Sequence, residues 1–351
     1  MVRLLLVTSL LLLLAGAAVA GWMGWVLTRP LPLAESTVIE VEPGSSLART
    51  VRRLADAGML EHPETLRVWG RVSGAAGRIR AGEYRIDPGT SALGLLDEFV
   101  KGRAMRRHFT IVEGWRFEDL RRALARAERL VNDSAELSDD EIMARLGRGE
   151  LPPEGRFFPD TYDYLAGTSD LVVLGRALER MERTLDEEWQ RRAYDLPFSS
   201  ADEALVLASI IEKETGLAAD REKVAGVFVR RLELGMRLQT DPTVIYGLGD
   251  AFEGPLTRTN LRTPTPWNTY VHHGLPPTPI AMPGRAALRA ALHPDTTDAL
   301  YFVARGDGSS EFSATLEDHN RAVRRYLRGG GDRASSNDSA STEGTTPESG
   351  S

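Results

Sequence analysis

The chain has 351 residues, 42% of them hydrophobic and 26% charged, proportions ordinary for a globular protein of two or three domains. A net charge of −7 and a pI near 5.6 argue against nucleic acid as the main partner. With no cysteine, the chain has no disulfides, thiolate catalysis, cysteine zinc sites or thiol-linked lipid.

The first predicted element is an uncharged run over residues 4–27, closed by Thr28-Arg29-Pro30. A helix that crosses a bilayer needs about 20 residues. Ala18-Val19-Ala20 resembles a signal-peptide cleavage site, but the apolar run continues past it to Leu27, and Trp22 and Trp25 suit a membrane interface. The length favours an uncleaved anchor, with residues 1–3 before it and a linker over 28–36. Either reading exports the rest of the chain.

Residues 37–103 read as a small α+β module. Thr37–Glu42 alternates as a strand does. The turn Pro43-Gly44-Ser45-Ser46 offers serines that can cap a helix bearing Leu47, Val51 and Leu54, broken near Gly58. A second helix over Pro63–Val72 and a strand over Ile79–Ile86 follow. Pro88-Gly89-Thr90-Ser91 then repeats the turn chemistry ahead of a helix with Leu93, Leu95 and Leu96. Two copies of strand, turn and helix make a weak internal repeat.

A larger α+β region spans residues 108–328. It opens with a strand and turn over His108–Gly114. Helices are predicted over Phe117–Arg129, Asp139–Leu146, Ser169–Ala193, Glu203–Thr215 and Asp220–Glu233. Between 255 and 283 prolines are too dense for helix or central strand. A hairpin over Ala299–Ala304 and Ser310–Ala314 and a helix over Leu316–Leu327 complete it. Residues 329–351 carry no large apolar side chain and are expected to be a disordered tail.

The helix ending Ala208-Ser-Ile-Ile-Glu-Lys-Glu-Thr215 places two carboxylates at the end of a wholly apolar run. Ser200-x-x-Glu203 reads as its capping box and Gly216 as its stop. Glu214 lies seven, four and three residues after Leu207, Ile210 and Ile211, so it projects from the most apolar stripe, whereas Glu212 lies on a smaller, more polar face. A carboxyl among apolar side chains holds its proton to higher pH, which suits a general acid. The competing reading is a solvated helix end or an arginine's partner. Farther on, Gln239, Thr240 and Asp241 sit on a turn that either binds sugar hydroxyls or caps a helix running through Gly247. Asn268 and Tyr270 carry the same ambiguity. No histidine has metal-ligand spacing, and no phosphate-binding glycine motif occurs, so no metal or cofactor is expected.

Taken together, Ala208–Thr215, Gly235-Met-Arg-Leu-Gln-Thr-Asp-Pro-Thr-Val-Ile-Tyr-Gly247, Thr263-Pro-Thr-Pro-Trp-Asn-Thr-Tyr270, Gly274-Leu-Pro-Pro277 and Glu154-Gly-Arg-Phe-Phe-Pro-Asp-Thr161 resemble the YceG-like (MltG) family of bacterial endolytic peptidoglycan transglycosylases. The resemblance implies an N-terminal transmembrane helix, a LysM-like module and a catalytic domain on the extracytoplasmic side of the cytoplasmic membrane. It implies a lyase that cleaves the MurNAc–GlcNAc bond of nascent glycan strands to 1,6-anhydro ends, working beside peptidoglycan synthases. Glu214 matches the family's catalytic glutamate, and Gln239, Thr240, Asp241, Asn268 and Tyr270 become candidate substrate-binding groups. Two other functions stay open. A muramidase would need a second carboxylate, for which Asp241 is the candidate. A glycan-binding scaffold would need no catalysis.

Overall fold

The computed structural model describes residues 2–249 and 252–326. The predicted tail therefore lies outside the described residues. Twelve α-helices and three two-stranded sheets are described, a mixed α+β chain led by an apolar helix, α1 (Val2–Thr28). The chain divides into two compact units.

The smaller unit holds residues 1–109 with 127–133 and 163–170. β1 (Thr37–Val41) pairs antiparallel with β2 (Gly82–Ile86), Thr37 opposite Ile86 and Val41 opposite Gly82. Both expected turns cap helices. Ser46 accepts the Arg49 N–H at 3.3 Å to start α2 (Leu47–Asp56), and Ser91 accepts the Gly94 N–H at 3.1 Å to start α4 (Ala92–Lys101). Between them runs α3 (Pro63–Val72), with the bounds its sequence suggested. Strand β2 is shorter than expected, matching β1 residue for residue over Gly82–Ile86. The core gathers Ile39, Val51, Leu66, Tyr84, Leu95 and Phe99, and also Leu27 and Leu31. Residues 28–36 are thus no loose spacer: Leu31 donates its N–H to Thr90 O at 2.8 Å.

Segment 127–133 joins this unit through charge. Glu83, 6% exposed on β2, accepts from Arg107 Nε and Nη2 at 3.1 and 2.9 Å and pairs with Arg129 Nε at 3.0 Å. Helix α5 (Phe117–Leu124) stops short of the predicted Arg129: the chain tightens after Leu124, where the Arg126 N–H turns to Ala123 O at 3.1 Å, and Arg129 itself sits at φ 60°.

The larger unit holds residues 110–126, 134–162 and 171 onward. Beyond α5 it contains α6 (Asp139–Arg145), most of α7 (Asp170–Gln190), α8 (Ala201–Glu214), α9 (Ala218–Glu233), α10 (Asp241–Leu248), α11 (Arg285–Leu292) and α12 (Leu316–Tyr326). The unit boundary falls within β3 (Arg107–Thr110) and again within its partner β4 (Thr161–Tyr164). The predicted hairpin forms from β5 (Tyr301–Ala304) and β6 (Ser310–Ser313), paired antiparallel. Helix α8 is the axis of the core: Ala204–Ile211 are all buried, and α9, α10 and α11 pack around it. The proline-dense stretch forms no longer regular element than a single turn at Asn260–Arg262.

Candidate active site

Leu207, Ile210 and Ile211 are each 0% exposed, so the apolar stripe of α8 is core and Glu214, one turn beyond, emerges where that core ends. Glu203 behaves differently from a full capping box: Ser200 accepts the Glu203 N–H at 3.3 Å, but the Glu203 carboxylate takes the N–H of Ser199 at 2.6 Å. Gly216 is not the left-handed stop that was expected. Thr215 ends the helix in extended geometry (φ −146°, ψ 127°), and its hydroxyl accepts the Leu217 N–H at 3.1 Å.

The Glu214 carboxyl opens on a cavity of about 340 Å³ whose walls include Gln239, Asp241 and Tyr270. Burial pushes its pKa up, and neighbouring Asp241 adds to the rise, against a hydrogen bond from Thr240 and the charge of Arg231. The Thr240 hydroxyl donates to Glu214 Oε1. Thr240 occupies the N-cap position of α10, yet its side chain makes no capping bond. Thr240 thus stands at the cap position while its hydroxyl is turned to Glu214. At 2% exposed, Thr240 stands behind the carboxyl instead of facing the cavity.

Gln239 reaches the wall at φ 51°, a left-handed conformation uncommon outside glycine, held by its N–H to Thr269 O at 3.2 Å. Asp241 Oδ1 accepts the Tyr270 hydroxyl at 2.7 Å, and burial with that bond raises the phenol's pKa. Asn268 does not line the cavity. It is 0% exposed; its Nδ2 donates to Leu261 O and Thr263 O at 3.2 and 2.8 Å, and its Oδ1 accepts the Tyr270 N–H at 2.9 Å. Its amide folds the proline-dense segment and so fixes Tyr270.

More of the lining comes from residues that the sequence did not single out as site groups. Arg231, 8% exposed on α9, donates Nε to Leu300 O and Nη1 to Leu238 O, each at 2.7 Å. Its guanidinium lies 5.2 Å from the Tyr301 ring centroid, and Tyr301 stacks on His319 at 5.2 Å. Tyr301 and His319 both border the cavity. Burial lowers the His319 pKa, with the charge of Arg231 acting in the same direction. A stack of planar rings beside a polar floor is the kind of surface on which sugar rings rest.

Two further carboxyls have raised pKa values. Glu212, on the other face of α8, accepts the Gly284 N–H at 2.9 Å; burial raises its pKa. Glu154 is 7% exposed and its pKa is raised by burial to about 7; the Phe117 N–H approaches its two oxygens at 3.1 and 3.2 Å, and the Tyr246 hydroxyl lies 3.3 Å away. Neither borders the cavity that Glu214 faces.

With this geometry in place, comparison with known proteins is informative. The sequence profile of the YceG-like family matches residues 39–325. The endolytic murein transglycosylase of Bacillus subtilis is 30% identical over 306 residues, covering 82% of this chain and 84% of the relative. The endolytic murein transglycosylase of Streptococcus pneumoniae is 25% identical and covers 92% of this chain; the chain spans 65% of that relative's length. A crystal structure of a YceG-like protein from Listeria monocytogenes superposes with a TM-score of 0.54 at 26% identity, over 82% of this chain and 99% of the other.

Proposed function

Since the chain belongs to the YceG-like family, we infer that it is a peptidoglycan lytic transglycosylase, an enzyme that cuts glycan strands internally and without water. The observation that carries the chemistry is the Glu214 carboxyl, raised in pKa by burial at the end of the α8 stripe and opening on a cavity. Protonated Glu214 donates its proton to the glycosidic oxygen between MurNAc C1 and GlcNAc O4 as that bond breaks. The oxocarbenium-like centre left at C1 is attacked by the muramoyl C6 oxygen. Glu214, now a carboxylate, takes the C6 hydroxyl proton and is restored. The products are a GlcNAc hydroxyl end and a 1,6-anhydro-MurNAc end, so atoms and protons balance with one carboxyl doing both transfers.

Thr240 positions the carboxyl from behind. Gln239, Asp241 and Tyr270 bind the sugar from the cavity floor, and Asn268 acts through Tyr270. The substrate is the nascent strand beside peptidoglycan synthases. Helix α1, the one described helix long and apolar enough to cross a bilayer, over Arg3–Thr28 with mean hydropathy 2.4, serves as a single-pass anchor in the cytoplasmic membrane with the catalytic unit outside. The repeated strand–turn–helix of the smaller unit makes it a LysM-like module.

Mass spectrometry of uncrosslinked glycan strands, treated with the detergent-solubilised full chain or with Glu214→Gln, tests this. Internal anhydro-muramoyl ends that vanish in the variant are expected. Reducing ends would instead mean hydrolysis with Asp241 as partner, and no cleavage by folded protein would favour a scaffold.

A further inference from the structure

The outer face of the smaller unit offers a surface that the catalytic reading does not use. The end of α1 belongs to that unit's core: Val26 and Leu27 are 6% and 2% exposed, and Leu27 joins the cluster that holds Leu66 and Leu95. Arg29 pairs with Glu61, and its guanidinium lies 5.1 Å over the Trp25 ring. Trp22 meets His62 edge-on, ring centroids 5.3 Å apart. His62 is the N-cap of α3, so α3 begins level with a tryptophan of the anchor.

From that starting level, α3 has two unlike faces. Thr65, Leu66 and Gly70 are buried, and Gly70 is so close to Leu47 that an added Cβ would lie 2.2 Å from Leu47 Cδ2. The other side carries Val68 and Val72, with Trp69 at its border, three residues past Leu66 and 38% exposed; Val72 is 79% exposed, more open than even Leu12 of the anchor at 74%. Arg71 lies beside them on the same short helix, as does Arg67, which pairs with Glu64 at 2.5 Å. Trp and Val next to arginines, on a helix that starts at the height of an anchor tryptophan, is the composition of a segment lying in a lipid interface.

We propose that α3 lies in the headgroup layer of the membrane that α1 spans, with Val68, Trp69 and Val72 at the acyl boundary and Arg71 toward lipid phosphates. This rests on reading α1 as a membrane anchor. The smaller unit then has two attachments to the bilayer, one through it and one along it. Continuity with the anchor favours lipid as the occupant: the surface that would meet another protein is brought to the bilayer by the packed end of α1 itself.

Because the chain has no cysteine, a nitroxide can be placed at one chosen position. The full chain carrying Leu12→Cys or Val72→Cys, each labelled, is reconstituted in vesicles of phosphatidylethanolamine and phosphatidylglycerol. Relaxation enhancement by oxygen, which partitions into lipid, is compared with that by a water-soluble nickel chelate. The label at 12 should give a high oxygen-to-nickel ratio. That at 72 should fall below it yet several-fold above the free label in buffer, and Val68→Cys should agree. A buffer-like ratio at 72 with a deep label at 12 overturns the proposal and leaves the anchor standing. Exclusion of both reagents at 72, as under a second protein, overturns it too. A buffer-like ratio at 12 removes the anchor and the proposal together.

Discussion

Each unit buries a glutamate, and the two are treated in opposite ways. Glu83 in the smaller unit is held by the guanidinium groups of Arg107 and Arg129. Glu214 in the larger unit is held by a hydroxyl and faces a cavity, with a second carboxylate, Asp241, adding to the rise in its pKa. A carboxylate answered by guanidinium groups joins segments of chain together. One answered by a hydroxyl in a desolvated place is poised to exchange a proton. Glu154 stands between these cases, desolvated like Glu214 but closed in by Phe117 and Tyr246.

Replacing each glutamate by glutamine sharpens this contrast. Glu214→Gln should cut strand cleavage by about 10²–10⁴-fold, the usual worth of a positioned acid–base group, with the melting temperature unchanged or slightly raised. The wild-type rate should fall as pH rises through the raised pKa of Glu214, since donation requires its proton. A variant that kept its activity would collapse the distinction between the two glutamates.

Glu154 should control stability. Its folded pKa of about 7 lies above the ordinary 4.5, so its stabilising contribution is complete below about 4.5 and is lost as pH rises through about 7. That loss amounts to about 3 kcal/mol, and urea midpoints across this range should flatten in Glu154→Gln. Thr240→Val should lower turnover by about tenfold by removing one hydrogen bond to the acid. It should also move the alkaline limb of the pH profile upward, because the lost donor had favoured the carboxylate. The smallest effect is expected at Glu83→Gln, about 1 kcal/mol of stability, as both arginines are partly exposed, with cleavage per folded molecule unaltered. Any loss of turnover there would show that the smaller unit does more than hold itself together.

Helical spacing alone brought Glu214 to notice, because Leu207, Ile210 and Ile211 stack in one stripe whatever surrounds them. Capped turns at Ser46 and Ser91 were equally legible, since a cap is decided within four residues. Partners far along the chain left no such trace. Tyr246 meets Glu154 from 92 positions away, and the Arg231–Tyr301–His319 wall is assembled from three separate elements. Asn268 was read as a possible sugar ligand because an amide in a proline-dense loop looks the same whether it turns outward or inward; the bare carbonyls of that loop draw it inward. Helix α11 was not foreseen at all, being a short alanine-rich stretch directly behind prolines and Gly284.

The diverted hydroxyl of Thr240 ties chemistry to mechanics. While Glu214 is a carboxylate, Thr240 leans toward it and α10 begins without a side-chain cap. A proton on Glu214 Oε2 leaves Oε1 accepting from Thr240, so the acid can hand over and recover its proton while staying tethered to the start of α10, where Asp241 and its bond to Tyr270 reside.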